Sequence, residues 1–229
     1  MTFGKTGSHV SMIISFVVFV TFIVFLFFIL QPALNVGDEK DALLDSIETS
    51  LLGYLSSELN TISIKSNQAG NCVQLSGLEG VSSSLIVKNA NGDVLNYDWI
   101  SAGNLKIEND GVNKFFKIYE SYAISPQETS IGSCTPVEYT FGLIKTEEKI
   151  FEKNILDAMT LYQTNYDQLR QNIGLVTGDF GFDFVYENGT ILSKGESAQT
   201  AGVSTKQSSF NYLDANLNNL QGNMVIKTW

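Results

Sequence analysis

Acidic side chains are the first candidates for chemistry. Asp179, Asp183 and Glu187 recur through and just beyond Gly178-Asp179-Phe180-Gly181-Phe182-Asp183-Phe184, and on a strand the odd positions 179 to 187 share one face. Paired carboxylates on one face suit glycoside hydrolysis or calcium binding. The even positions carry Phe180, Phe182, Phe184 and Tyr186. A polar outer face backed by an aromatic inner face accounts for the same letters without chemistry, and that is the reading adopted. Asn89-Ala90-Asn91-Gly92-Asp93 loosely matches a calcium loop but lacks the closing Glu, so it reads as a turn. Gly4-Lys5-Thr6 matches only the end of a phosphate-binding loop, with no room for the upstream glycine or strand. His9 is the only histidine and lies beside a long apolar run. That removes Ser-His-Asp and Cys-His arrangements and disfavours a zinc site. No catalytic, cofactor-binding or metal-ligating residue is assigned, no cofactor is expected, and the chain reads as not an enzyme.

Three further residues carry chemistry of a structural kind. Cys72 and Cys134 are the only cysteines. An even count in an oxidising compartment suggests one disulfide, with two free buried thiols as the alternative. The bridge would close a loop of about 60 residues and contribute about 3–4 kcal/mol in the chain-entropy model. Asn188-Gly189-Thr190 is a glycosylation sequon, and Asn-Gly is equally a hairpin turn.

The elements that position these residues begin with an apolar run. Val10 to Leu30 reads VSMIISFVVFVTFIVFLFFIL, without a charge. It has the length a helix needs to cross a bilayer, about 20 residues. It is too long for the apolar region of a cleavable secretory signal and lacks a small-residue cleavage site, so it reads as a retained transmembrane helix. Its hydroxyls Ser11, Ser15 and Thr21 can bond helix carbonyls. Six phenylalanines are spread round it as lipid-facing bulk. Lys5 is the only charged residue before Asp38, which places residues 1–9 as a short cytoplasmic leader by the positive-inside rule. The rest of the chain then lies outside the cytoplasm.

That remainder holds 13 basic and 24 acidic side chains, and its net charge is −11. Such a surface repels nucleic acid and does not favour anionic lipid. Leu43, Leu44, Ile47, Leu51, Tyr54, Leu55 and Leu59 continue a helical period, so residues 31–60 are expected as an amphipathic helix, bent at Pro32 and Gly37. Residues 61–229 are expected as an extracytoplasmic domain, giving an α+β chain with an antiparallel β-rich section. Two hairpins are expected, centred on Asn91-Gly92 and on Asn109-Asp110-Gly111, followed by a strand over 137–141. A second long helix is expected from Glu147 to Ile173, capped by Thr146 and ended by Gly174. Phe180 to Tyr186, Ile191-Leu192 and Met224 to Trp229 read as strands, and Ser193 to Ser209 as a loop.

An acid-free leader, an apolar helix directly behind it, an amphipathic continuation and a β-rich domain together resemble a type IV pilin or pseudopilin. Gly7-Ser8-His9-Val10-Ser11-Met12-Ile13-Ile14 resembles an archaeal class III signal peptide, in which a small residue precedes a polar one and then the apolar segment. The resemblance covers about the first 60 residues; the span Met12 to Leu30 and the stretch Gly178 to Tyr186 also resemble those of single-pass surface proteins of small-genome archaea. It departs from the pattern in having Thr6 before Gly7, with Lys5 one step back, and Met12 rather than glutamate at the fifth position after Gly7. The resemblance implies processing at Gly7 and Ser8 and a pilin-like structural or adhesive subunit. Such a subunit would assemble through the apolar helix, with Val10, Ile14, Val17, Phe22, Phe25 and Leu30 as contact positions. Partners would be membrane lipid, further copies of the chain or other envelope proteins, with no nucleic acid. The alternative is a permanently anchored extracytoplasmic binding domain of an envelope complex.

Overall fold

The computed structural model describes residues 7–67, 70–101, 103–134, 136–175, 178–193 and 203–229, with the backbone alone for 7–10, 30–39 and 101. It opens with α1, Gly7–Leu55, a single helix of 49 residues. The helix stays helical through Pro32 and Gly37. It ends at Leu55, short of the expected residue 60, because Ser56–Ser66 is a strand, β1. Leu59 suits either period; pairing of Leu59 with Glu147 on a neighbouring strand decides for the sheet.

The next strands are β2 (Cys72–Leu78), β3 (Leu85–Asn89), β4 (Val94–Leu95), β5 (Tyr97–Ser101), β6 (Gly103–Glu108), β7 (Phe115–Glu120) and β8 (Tyr139–Phe151). The first expected hairpin is present, with Val87 opposite Leu95 across the Asn91-Gly92 turn. Asn89 Oδ1 there accepts from the Asn91 and Asp93 amides, which is turn chemistry. The second expected hairpin is not one. β6 belongs to a three-stranded sheet, β2-β6-β5, whereas β7 pairs with β1 and β3 in another. The turn between them is an arch that carries the chain from one layer to the next. Leu105 and Ile107 then face Phe116 and Ile118 across a shared core. Alternation and a turn signal are the same for an arch and a hairpin, so sequence could not separate them.

After β8 come α2 (Glu152–Thr164), α3 (Tyr166–Asn172), β9 (Phe180–Tyr186), β10 (Ile191–Leu192), β11 (Ser204–Leu213) and β12 (Asn219–Thr228). The expected helix over 147–173 is therefore corrected at both its start and its middle. Thr146 caps nothing: it lies in β8 opposite Asn60 and donates to Asn60 Oδ1 at 2.6 Å. Lys145, Glu147 and Lys149 alternate on one strand face, with Lys–Glu separations of 2.9 and 3.6 Å. Asn165 interrupts the helix and caps α3 by accepting from the Gln168 amide. Gly174, at φ +71°, ends α3 as expected. Ser204 to Ser209 is strand rather than loop, held by the full register with β12. Residues 194–202 of that expected loop lie outside the described residues.

The large sheet runs β10-β9-β12-β11-β8-β1-β7-β3-β4. Every neighbouring pair is antiparallel except β11 and β8, which are parallel and meet only at Tyr212–Ile150 and Leu213–Phe151. One half, β8-β1-β7-β3, packs on the three-stranded sheet over Ile62, Ile64, Leu75, Leu105 and Phe116. The other half, β11-β12-β9, takes α2, α3 and the lower part of α1 over Phe180, Phe184, Met224 and Ile226. The fold mixes helix and sheet, as expected.

Candidate functional site

The feature with the strongest functional content is the upper half of α1. Ser11–Ile29 has a mean hydropathy of 3.1 and no part of it is buried against the protein. Among the expected contact positions, Ile14, Val17, Phe22 and Phe25 are all exposed. Val10 and Leu30 lie in the same helix, with side chains outside the described set, as are those of Gly7 and Ser8 in its first turn. Thr21 donates to the Val17 carbonyl at 2.7 Å, so its hydroxyl is satisfied inside the helix. A row of large apolar side chains this long, facing solvent on every side, is what a bilayer or a helix bundle covers.

The lower half of the same helix is bound to the rest of the molecule. Leu44, Ile47, Leu51 and Leu55 form one buried stripe against the helices and sheet. Lys206 of β11 borders this stripe, with its Nζ 2.5 Å from Asp45 Oδ1 and 2.5 Å from Glu48 Oε2. The Asp45 and Glu48 hydrogen bonds hold the Lys206 proton well above the ordinary lysine range. The same bond from Lys206 draws the Glu48 carboxyl below its usual range. Asn172 of α3 adds a 3.3 Å bond to the Tyr54 hydroxyl.

The carboxylates singled out from sequence do not converge on a reaction centre. Asp183 pairs with Lys227 at 2.5 Å, and Asp179 lies 3.5 Å from Arg170. Phe180, Phe182 and Phe184 are buried behind them, which is the polar-out, aromatic-in strand. Glu187 lines a shallow cavity of about 580 Å³ together with Glu152, Tyr186 and Tyr212. There the Tyr186 hydroxyl donates to Glu152 Oε1 at 2.8 Å. Burial, then that carboxylate, keep its phenol protonated far above the usual range. Sequence reading missed this depression because its lining comes from four separate elements. Asn188 sits on its rim, in the exposed turn between β9 and β10. Cys72 and Cys134 are joined, with Cα atoms 5.3 Å apart. The bond ties the start of β2 to the segment that leads into β8.

No protein-family model matches the chain, and neither a curated protein nor a solved structure matches it. Its function is therefore argued from its own geometry.

Proposed function

We propose that the chain is a membrane-anchored cell-surface protein, a pilin-like structural or adhesive subunit whose N-terminal helix serves both as anchor and as assembly element. One observation carries this reading. A single helix, Gly7–Leu55, has one half exposed and apolar and the other half built into a folded head. Such a helix transmits the position of the head to whatever surrounds the apolar half, lipid or neighbouring helices. In water that surface is strongly unfavourable, at about 25 cal/mol per Å² of apolar area. Removal from lipid therefore favours bundling of several copies. The disulfide and the exposed Asn188 turn are consistent with a head on the extracytoplasmic side.

Mass spectrometry of the mature N-terminus, combined with sizing of the detergent-extracted protein, tests the reading. Expected are a chain that begins at Ser8 and homo-oligomers that persist on dilution. An intact Met1 in a monomer would replace this reading with the permanently anchored binding domain.

A further inference from the structure

The two ends of the large sheet are blunted by two-residue strands, β4 and β10. Its interior is not. β8 pairs with β1 along almost its whole length but with β11 only at Ile150 and Phe151. Among the described residues, the edge of Tyr139–Lys149 that faces away from β1 therefore has no strand partner. Residues 140–146 along it are exposed.

Lysines and a bulge guard parts of this edge, but from Tyr139 to Ile144 it carries no charged side chain. Phe141, Leu143 and Ile144 are 45%, 69% and 63% exposed. The register explains why. Phe141 lies opposite Ile64 and Ile144 opposite Ile62, so both share the inner face of the sheet. The three-stranded sheet covers Ile62 and Ile64, and Phe141 and Ile144 continue that core past its cover. Leu143 belongs to a bulge, where Gly142 and Leu143 together face Ser63. The outer face differs. Lys145 lies opposite Thr61, and Lys65 and Lys117 occupy the same face on β1 and β7. Lys149 extends the row, and Glu147 is held between it and Lys145. This is a basic strip on a chain of net charge −10.

We infer that the open edge of β8 is a docking site for an extended segment of a partner polypeptide. The segment adds as a further strand, with apolar residues on one face and acidic residues on the other. Strand addition satisfies the unpaired backbone groups. The apolar face covers Phe141 and Ile144, and the acidic face meets Lys145, Lys149 and Lys65. The charge of the strip selects against basic segments. The site is independent of the anchor: it serves a lone anchored chain and an assembled subunit alike.

The test uses the full chain in detergent micelles and three labelled seven-residue peptides. One alternates valine and glutamate, one alternates valine and lysine, and one is the glutamate peptide with alternate backbone nitrogens methylated. Fluorescence anisotropy reads binding, and amide hydrogen exchange reads its location. Expected are binding of the glutamate peptide at least tenfold tighter than the lysine peptide, loss of binding on N-methylation, and new protection within residues 139–149. Ile144→Lys, at an exposed position, weakens binding at least tenfold with an unchanged melting temperature. Lys145→Glu narrows the gap between the glutamate and lysine peptides. No binding of the glutamate peptide, equal binding of all three, or protection confined to other strands would overturn the inference.

Discussion

Two glycines show how the surroundings of one residue set the sign of a substitution. Gly222 in β12 lies between Phe210 and Tyr186 on the neighbouring strands. A methyl group there would stand 2.5 Å from two ring carbons of Phe184 and 3.2 Å from Tyr212. Phe184 is buried and has no room to turn aside. Gly222→Ala should therefore destabilise by about 2 kcal/mol, as overpacked cores do. Gly53 in α1 is exposed and has nothing within 4 Å of the same methyl position. Gly53→Ala should stabilise by about 0.5–1 kcal/mol through helix propensity. Chemical denaturation of both variants reads the two signs in one experiment. Lys206 gives a pH prediction at the same scale. Glu48 has a lowered folded pKa through its bond from Lys206, so its contribution is present above about pH 4.5 and lost as pH falls through the folded value. Lys206 has a raised one through Asp45 and Glu48, so its share is lost only as pH rises above about 10.5. Stability from this cluster is flat between those limits. Glu48→Gln should cost about 1 kcal/mol at neutral pH, because the pair is partly exposed, and less in acid once Glu48 is protonated. An equal loss at both pH values would show that the ion pair contributes nothing.

At the scale of elements, α1 is two helices in one. Leu51 is fully buried in the lower half, whereas Leu26 in the upper half faces outward. Leu51→Ala should lower head stability by about 3 kcal/mol, and Leu26→Ala should leave it unchanged. Thermal unfolding of the head followed by near-ultraviolet circular dichroism distinguishes the two. Both halves of α1 were legible in sequence because each has an unmixed pattern: charge-free in one, a stripe at helical spacing in the other. The Phe180–Tyr186 strand was legible for the same reason. What was not legible depended on partners distant in the chain. Thr146-Glu147-Glu148 has the letters of a helix start, yet β1 claims that stretch from some 90 residues upstream. The alternation of Lys145, Glu147 and Lys149 is the strand signal in the same stretch, and locally it is weaker than the capping pattern. The arch between β6 and β7, and the open edge of β8, are properties of which layer a strand joins, which local spacing does not encode.

At the scale of the whole molecule, the head has two large cores beside a smaller cluster around Ile86 and Phe151. The disulfide spans a separation of 62 residues around one of them, and the lower half of α1 is built into the other. The fate of the upper half of α1 then sets where the molecule resides, and magnitudes decide how hard that is to change. Of the 19 residues in Ser11–Ile29, all but Ser11, Met12, Ser15 and Thr21 are Leu, Ile, Phe or Val. Each contributes about −0.3 to −0.6 kcal/mol to insertion near the helix centre, so the segment supplies on the order of −5 kcal/mol or more. One arginine at the centre costs about 2.5–3.5 kcal/mol. Val20→Arg, at the midpoint of the span, should therefore leave the protein in the membrane fraction after alkaline extraction. Adding Val17→Arg or Val24→Arg brings the total cost level with the gain, and a substantial fraction should move to the supernatant. Release by the single substitution would mean that lipid holds the helix less firmly than its composition requires, and retention of both double variants would mean that contacts with other helices hold it instead.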